Sequence, residues 1–106
     1  MVISGGVNIY PAEIEAVLIN LPEVADCAVF GIPDDDFGEV LCACIRPAAD
    51  TAPDEAAIKS HLRAHLAAYK IPKKIVFMDE LPREDSGKIF KRKLREPYWA
   101  GRDRRI

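Results

Sequence analysis

Cysteine is scarce in this chain, and the three that occur do not read as a cross-linked framework. Cys27, Cys42 and Cys44 are an odd number, and each lies in an apolar stretch rather than among turn residues. Disulfides are therefore not expected, and a reducing, cytoplasmic setting is. No apolar run approaches the ~18 residues that a bilayer span requires, so no transmembrane segment is expected. Met1 to Gly6 lack the basic region and long apolar stretch of a secretion signal, and Arg104-Arg105-Ile106 is not a peroxisomal address. A Gly- and Ser/Thr-rich phosphate loop is missing as well, so the chain carries no ATP cradle of that kind. Nor does either sign of charge dominate. Fifteen Lys and Arg against seventeen Asp and Glu leave −2, with no global drive toward nucleic acid or an anionic membrane.

What is present suffices for one domain and not two: 106 residues, 49% of them hydrophobic. A chain of this size buries roughly 65% of the surface its unfolded form exposes, enough for a core without disulfides or a structural metal. The charge is unevenly placed. Residues 1 to 82 carry 6 basic and 13 acidic side chains, and residues 83 to 106 carry 9 basic and 4 acidic.

Turn signals divide the chain into short elements. Val2-Ile3 and Val7 to Tyr10 flank Ser4-Gly5-Gly6 and read as a short hairpin, since paired glycines accept positive φ. Pro11 suits a first helical position, and Ile14, Val17, Leu18 and Leu21 repeat at helical spacing up to Pro22. Val24 to Phe30 and Glu39 to Arg46 read as strands paired antiparallel across a polar turn, Gly31 to Gly38. Thr51 to Asp54 resembles a capping box, opening a helix through Ile58, Leu62 and Leu66 to about Tyr69. Lys74 to Met78 reads as a strand, Leu81 to Gly87 as a loop, and Ile89 to Arg95 as a basic helical turn or two. The expectation is an α+β fold: a small, mostly antiparallel sheet with helices packed on it, in the order β-α-β-β-α-β-α, preceded by the short N-terminal hairpin.

Two segments depart from scaffold composition. Gly5 and Gly6 lack a Cβ and let another chain or a ligand approach the backbone closely, although a glycine pair by itself is more often only a tight turn. Lys88 follows a flexible Ser86-Gly87 on a loop, where its ammonium can meet a phosphate or carboxylate, although most loop lysines are merely solvated. Other candidates have blander readings. His61 and His65 stand at i, i+4 without a third ligand, so no metal site is expected. Cys42 and Cys44 share one side of a strand and read as core. Asp34-Asp35-Asp36 lacks the alternating ligands and the acidic twelfth position of a calcium loop and reads as a solvated turn.

The two segments together, with Gly31-Ile32-Pro33-Asp34, Gly38-Glu39-Val40 and Tyr69-Lys70-Ile71-Pro72-Lys73 between them, resemble the C-terminal domain of AMP-forming acyl-CoA synthetases, in the adenylate-forming superfamily. The resemblance covers about residues 1 to 95. Ile9-Tyr10-Pro11-Ala12-Glu13-Ile14-Glu15 looks like the CoA-ligase branch, whereas peptide-synthetase domains usually have Leu-Gly where Tyr10-Pro11 stand. Glu96-Pro97-Tyr98-Trp99 followed by Ala100-Gly101-Arg102 is similar to bacterial fatty-acyl ligases, which points to a fatty acid as substrate.

The resemblance implies a mobile C-terminal lid, residues 1–106, working against a large N-terminal ATP- and acyl-binding domain that lies outside this sequence. The hinge would fall just before Met1, which would then be an internal methionine or an artificial start. ATP and CoA are the implied cosubstrates, with Mg2+ brought by ATP in the other domain. Lys88 matches the lysine that serves adenylation. Gly5, Gly6 and Val7 match the loop that lines the pantetheine tunnel for thioester formation. Tyr69, Lys70, Ile71 and Lys73, with Arg63, are implied contacts for the nucleotide end of CoA. The isolated fragment is not expected to turn over. Two rivals remain: a lid that feeds a carrier protein's pantetheine arm, and a non-catalytic binding module using the basic face of Lys88, Lys91, Arg92, Lys93 and Arg95. Against the second, Phe90 alone interleaves that run, so no nucleic-acid partner is expected.

Overall fold

Two hydrophobic layers enclose one three-stranded sheet in the computed structural model, which describes residues 1–100. The elements run β1 (Val2–Ser4), β2 (Val7–Ile9), α1 (Pro11–Leu18), β3 (Val24–Asp34), β4 (Gly38–Pro47), α2 (Glu55–His65), a 3-10 turn (Ala68–Lys70), β5 (Lys74–Phe77) and α3 (Lys91–Trp99). β1 and β2 form a separate antiparallel hairpin. In the main sheet β4 is central, antiparallel to β3 and parallel to β5. This is the expected α+β order with a mostly antiparallel sheet. The parallel β4-β5 pair follows from the α2 crossover between them.

Both faces of the sheet are covered, which explains why residues 27–32 and 40–45 read as continuous apolar runs rather than alternating ones. On one face Val29, Leu41, Ala43 and Ile45 pack with Ile14 and Leu18 of α1 and Ile58 and Leu62 of α2. On the other, Phe30, Cys42 and Cys44 pack with Leu81 and with Leu94 of α3. A fully buried side chain of this size contributes about 1.5–3 kcal/mol, so the two layers supply most of the stability. All three cysteines are buried and free.

Several boundaries differ from the sequence reading for identifiable reasons. β3 continues through Ile32 to Asp34, because the turn is tightened by the Asp34 carboxylate, which accepts from the N–H groups of Asp36 (3.0 Å) and Phe37 (2.9 Å). α1 stops at Leu18, and turns at Asn20 and Leu21 complete the approach to Pro22. Thr51 does not cap α2. Asp54 does, accepting from Ala57 N at 2.8 Å, while the Thr51 hydroxyl donates to Ala48 O at 2.6 Å. As the third residue of a capping box, Asp54 is a methylene shorter than the Glu or Gln that reaches back. α2 ends at His65, not Tyr69, because Leu66 turns extended and the chain re-enters a 3-10 turn ahead of Pro72. α3 begins at Lys91 and runs through Pro97 to Trp99. A proline this close to the helix end forfeits one backbone bond, and the aromatic contacts beyond it offset that cost. Tyr98 packs on Phe30 with centroids 6.3 Å apart, and Trp99 Nε1 donates to Gly31 O at 3.0 Å. Gly101 and Arg102, the end of the fatty-acyl-ligase-like tail, lie outside the described residues, as does Arg104-Arg105-Ile106.

Candidate functional site

The β1-β2 hairpin is amphipathic across its pleat. Val2 and Ile9 are cross-strand partners and both enter the core, whereas the next pair, Ile3 and Asn8, lies on the opposite, exposed face. Its tip, Gly5-Gly6, takes positive φ at both residues, +57° and +84°. A Cβ at Gly5 would come within 3.1 Å of the Phe37 ring, while Gly6 opens onto free space. Two bonds seat the hairpin on the β3-β4 turn: Gly5 N–H donates to Phe37 O (2.9 Å) and Ile3 N–H donates to Glu39 Oε1 (3.1 Å). Gly31 makes room for this, since a Cβ there would lie 2.6 Å from Glu39 Oε2 and 3.2 Å from Val2.

Beside the hairpin, the Lys73 ammonium lies over the Phe37 ring, 4.5 Å from its centroid. Lys73 also lines a groove of about 440 Å³ with Lys59, Arg63 and Ile71. Of the residues expected at a nucleotide-binding surface, the structure brings together Arg63, Ile71 and Lys73. Tyr69 and Lys70 stand apart. Lys70 pairs with Glu13 of α1 (2.8 Å), whose hydrogen bond raises the lysine pKa, and Tyr69 is exposed with Lys70 over its ring. Lys59, absent from the sequence reading, joins the groove while also bonding Glu55 (3.0 Å) and Lys73 O (3.4 Å).

Lys88 sits elsewhere, on a tight loop closed by bonds from Glu84 N to Lys88 O and from Gly87 N to Glu84 O, both 2.8 Å. The loop ends are bridged between Arg83 and Ile89. Lys88 opens onto a groove of about 650 Å³ between this loop and α1, with Glu15, Ala16, Asp26, Cys27 and Lys91 in its lining. Lys91 pairs with Glu15 at 2.8 Å, and Arg83 pairs with Asp26. Both carboxylates of the groove are thereby neutralised, and among the described residues the Lys88 ammonium forms no ion pair. Glu15 has a second duty, accepting from Val29 N–H at 2.8 Å and so fixing α1 on β3. The contacts of Phe37, Glu39, Arg83 and Asp26 could not be read from the sequence because they depend on pairings across the fold. Pro11 to Glu15 and Leu81 to Lys88 were the local signals nearest to them.

The remaining candidates do structural work. The basic run of α3 is divided: Lys91 is spent on Glu15, and Arg92 lies over Phe90. His65 Nδ1 lies 3.0 Å from His61 O, and the two rings pack 4.6 Å apart. Burial pushes the Cys27 thiol up to about 12, helped by the carboxylates of Glu15 and Asp26. Cys44 is pushed up by its hydrogen bond with Cys42 and by burial. Among the described residues no group of three or more His, Cys, Asp or Glu converges as a metal centre, and no helix is long and apolar enough to cross a membrane.

This arrangement has counterparts. The chain is 46% identical over 100 residues to a long-chain-fatty-acid–CoA ligase of Mycobacterium tuberculosis, covering 94% of this chain and 20% of that one. It is 44% identical over 95 residues to a 2-succinylbenzoate–CoA ligase of Geobacillus kaustophilus, covering 90% and 19%. Among solved structures, ATP-bound MatB from Rhodopseudomonas palustris superposes with a TM-score of 0.88 at 43% identity, over 92% of this chain and 20% of that one. The chain thus spans about a fifth of the length of the relatives it matches. The family model for the AMP-binding enzyme C-terminal domain matches residues 13–88, from the first turn of α1 to Lys88 itself, and the chain belongs to that family.

Proposed function

We propose that this chain is the C-terminal lid of an ATP-dependent, AMP-forming carboxylic acid:CoA ligase, and that Lys88 and the Gly5-Gly6 hairpin serve its two half-reactions. In the first, a carboxylate oxygen attacks the α-phosphorus of ATP and pyrophosphate leaves. In the second, the CoA thiol attacks the acyl carbon and AMP leaves. The observation that carries this reading is the Lys88 ammonium, which has no ion-pair partner among the described residues, on a tethered loop with its cationic neighbours already neutralised. Held there, it can offset the repulsion between the incoming carboxylate and the phosphoryl oxygens without being quenched by its own protein. Mg2+ is expected on the ATP phosphates rather than on this chain.

At the other end, the glycine tip offers a channel wall without side chains, and Val7 stands beside it. Lys73, Arg63 and Lys59, which line one groove with Ile71, offer charge to the phosphates of CoA, and Tyr69 and Lys70 stand outside that groove. The two ends are far apart. Asp26, in the lining of the Lys88 groove, and Asp34, at the turn under the hairpin, are eight residues apart along β3, roughly 27 Å at the usual rise of an extended strand. One cleft cannot receive both at once, which supports a lid, residues 1–106, that turns between steps against a larger N-terminal domain. The acyl substrate is read as a fatty acid, from the Glu96-Pro97-Tyr98-Trp99 tail and from the mycobacterial relative. The aromatic acid named for the second relative belongs in any test panel.

The test uses the full parent enzyme with Lys88→Ala across fatty and aromatic acids. Pyrophosphate release is expected to fall about 10²- to 10³-fold, the usual cost of losing one preorganised electrostatic donor, while supplied acyl-adenylate is still converted to thioester. Unchanged adenylation would make Lys88 an ordinary surface lysine. A requirement for a carrier protein in place of CoA would select the alternative acceptor.

A further inference from the structure

The bonds that close the Lys88 loop fix its internal shape, but they do not fix where it points. Arg83 ties the loop to the main sheet. One of its guanidinium nitrogens donates to Gly87 O at 2.7 Å, one residue before Lys88, and the other is paired with Asp26 Oδ2 at the start of β3. Asp26 is itself pinned, because its other carboxylate oxygen accepts from Cys27 N–H at 3.0 Å beside the bulge between Val24 and Asp26. The chain of contacts therefore runs from the sheet, through a rigid planar fork, to the carbonyl next to the functional lysine. A lysine at 83 would offer a point charge on a flexible stem and could not hold both partners in that geometry.

Asp26 and Arg83 line the Lys88 groove and also a second groove, of about 920 Å³, between the 78–83 segment and α3. Their ion pair is thus the wall between the two. The pair also decides the state of Lys88. With Arg83 removed, the Asp26 carboxylate would lose its cation on the wall of the very groove that holds the Lys88 ammonium, and Gly87, at φ +92°, would lose the anchor on its carbonyl.

We infer that the Arg83–Asp26 pair is a positioning latch that aims Lys88 for the adenylation step and keeps Asp26 from neutralising it. This rests on the reading of Lys88 given above, and the test separates the two. In the full parent enzyme, Arg83→Met, Lys88→Ala and the double variant are compared in pyrophosphate release, in conversion of supplied acyl-adenylate, and in thermal melting. Arg83→Met is expected to lower the adenylation kcat on the order of 10- to 10²-fold, the scale of a small misplacement of a reacting group. KM for the acid and the thioester step should stay near their original values. In the Lys88→Ala background the same change should cost nothing further, because the latch acts only through the lysine.

Normal adenylation in Arg83→Met beside a crippled Lys88→Ala would overturn the latch and leave the lysine reading intact. An Arg83→Met loss that persists in the Lys88→Ala background, or that slows both half-reactions alike, would reduce the pair to a structural contact and equally overturn it. Unimpaired adenylation in Lys88→Ala would remove the underlying reading and the latch with it. If Arg83→Met melts much earlier than the parent, Asp26→Ala takes its place. It keeps the Arg83 to Gly87 bond while releasing the loop from the sheet, and the same adenylation-selective loss is expected, with normal adenylation counting against the latch.

Discussion

At the scale of single residues, the groove beside α1 sets three cations against two carboxylates, and burial and pairing give each a different fate. Arg83 and Lys91 are paired with Asp26 and Glu15, and Lys88 has no ion-pair partner among the described residues. Cys27 lies in the same wall, 7% exposed, with those two carboxylates as neighbours. Its thiolate is disfavoured first by burial and then by both negative charges, so its pKa rises from 9.0 to about 12. Cys27 should therefore resist iodoacetamide at pH 8 in the folded protein and react once unfolded, which peptide mapping would reveal. Rapid labelling of the native protein would contradict this placement. The sign for stability follows from linkage. The folded state holds the proton more tightly than the unfolded one, so this contribution is complete below pH 9, is lost as pH rises from there, and is gone above about pH 12.

At the scale of elements, the hairpin shows how a short motif acquires its orientation. Two three-residue strands are too few to stand alone, and this pair is held by Val2 and Ile9 in the core and by the Glu39 carboxylate on Ile3. Gly31 is what permits that approach. Gly31→Ala should displace Glu39 from Ile3 and press on Val2, lowering the urea-unfolding stability of the chain by about 1–3 kcal/mol, the range of an overpacked core position. An unchanged midpoint would show that the seat yields freely. The strands, α1 and α2 were legible in the sequence because glycines, prolines and periodic apolar residues mark them locally. The end of α3 was not. The sequence places that helix within Ile89 to Arg95, and the contacts of Tyr98 with Phe30 and of Trp99 with Gly31 O support its continuation through Pro97. The cap of α2 was misplaced by three residues for a similar reason. Thr51 and Asp54 are both competent caps, and the choice depends on which hydroxyl or carboxylate finds another partner first.

At the scale of the whole molecule, the β3-β4 ladder carries a different surface at each end. The lysine loop is joined to Asp26 through Arg83, and the glycine hairpin, Phe37 and the Lys73 groove lie about the far turn. Lys88, Gly5 and Gly6 were readable as a motif set, whereas their separation along one strand became visible only in the fold. So did the split of the basic candidates, with Lys73 facing a groove and Lys70 bound to Glu13.

The central claim is that these two ends serve two different steps, and the most direct test compares Lys88→Ala with Gly6→Val in single-turnover measurements of each half-reaction on the full parent enzyme. Gly6→Val places a β-branched residue at φ +84° on the tip of the hairpin. The account predicts opposite losses: adenylation falls with Lys88→Ala while thioester formation holds, and thioester formation falls with Gly6→Val while adenylation holds. Loss of the same step in both variants would contradict a division of labour between the two ends of the fold.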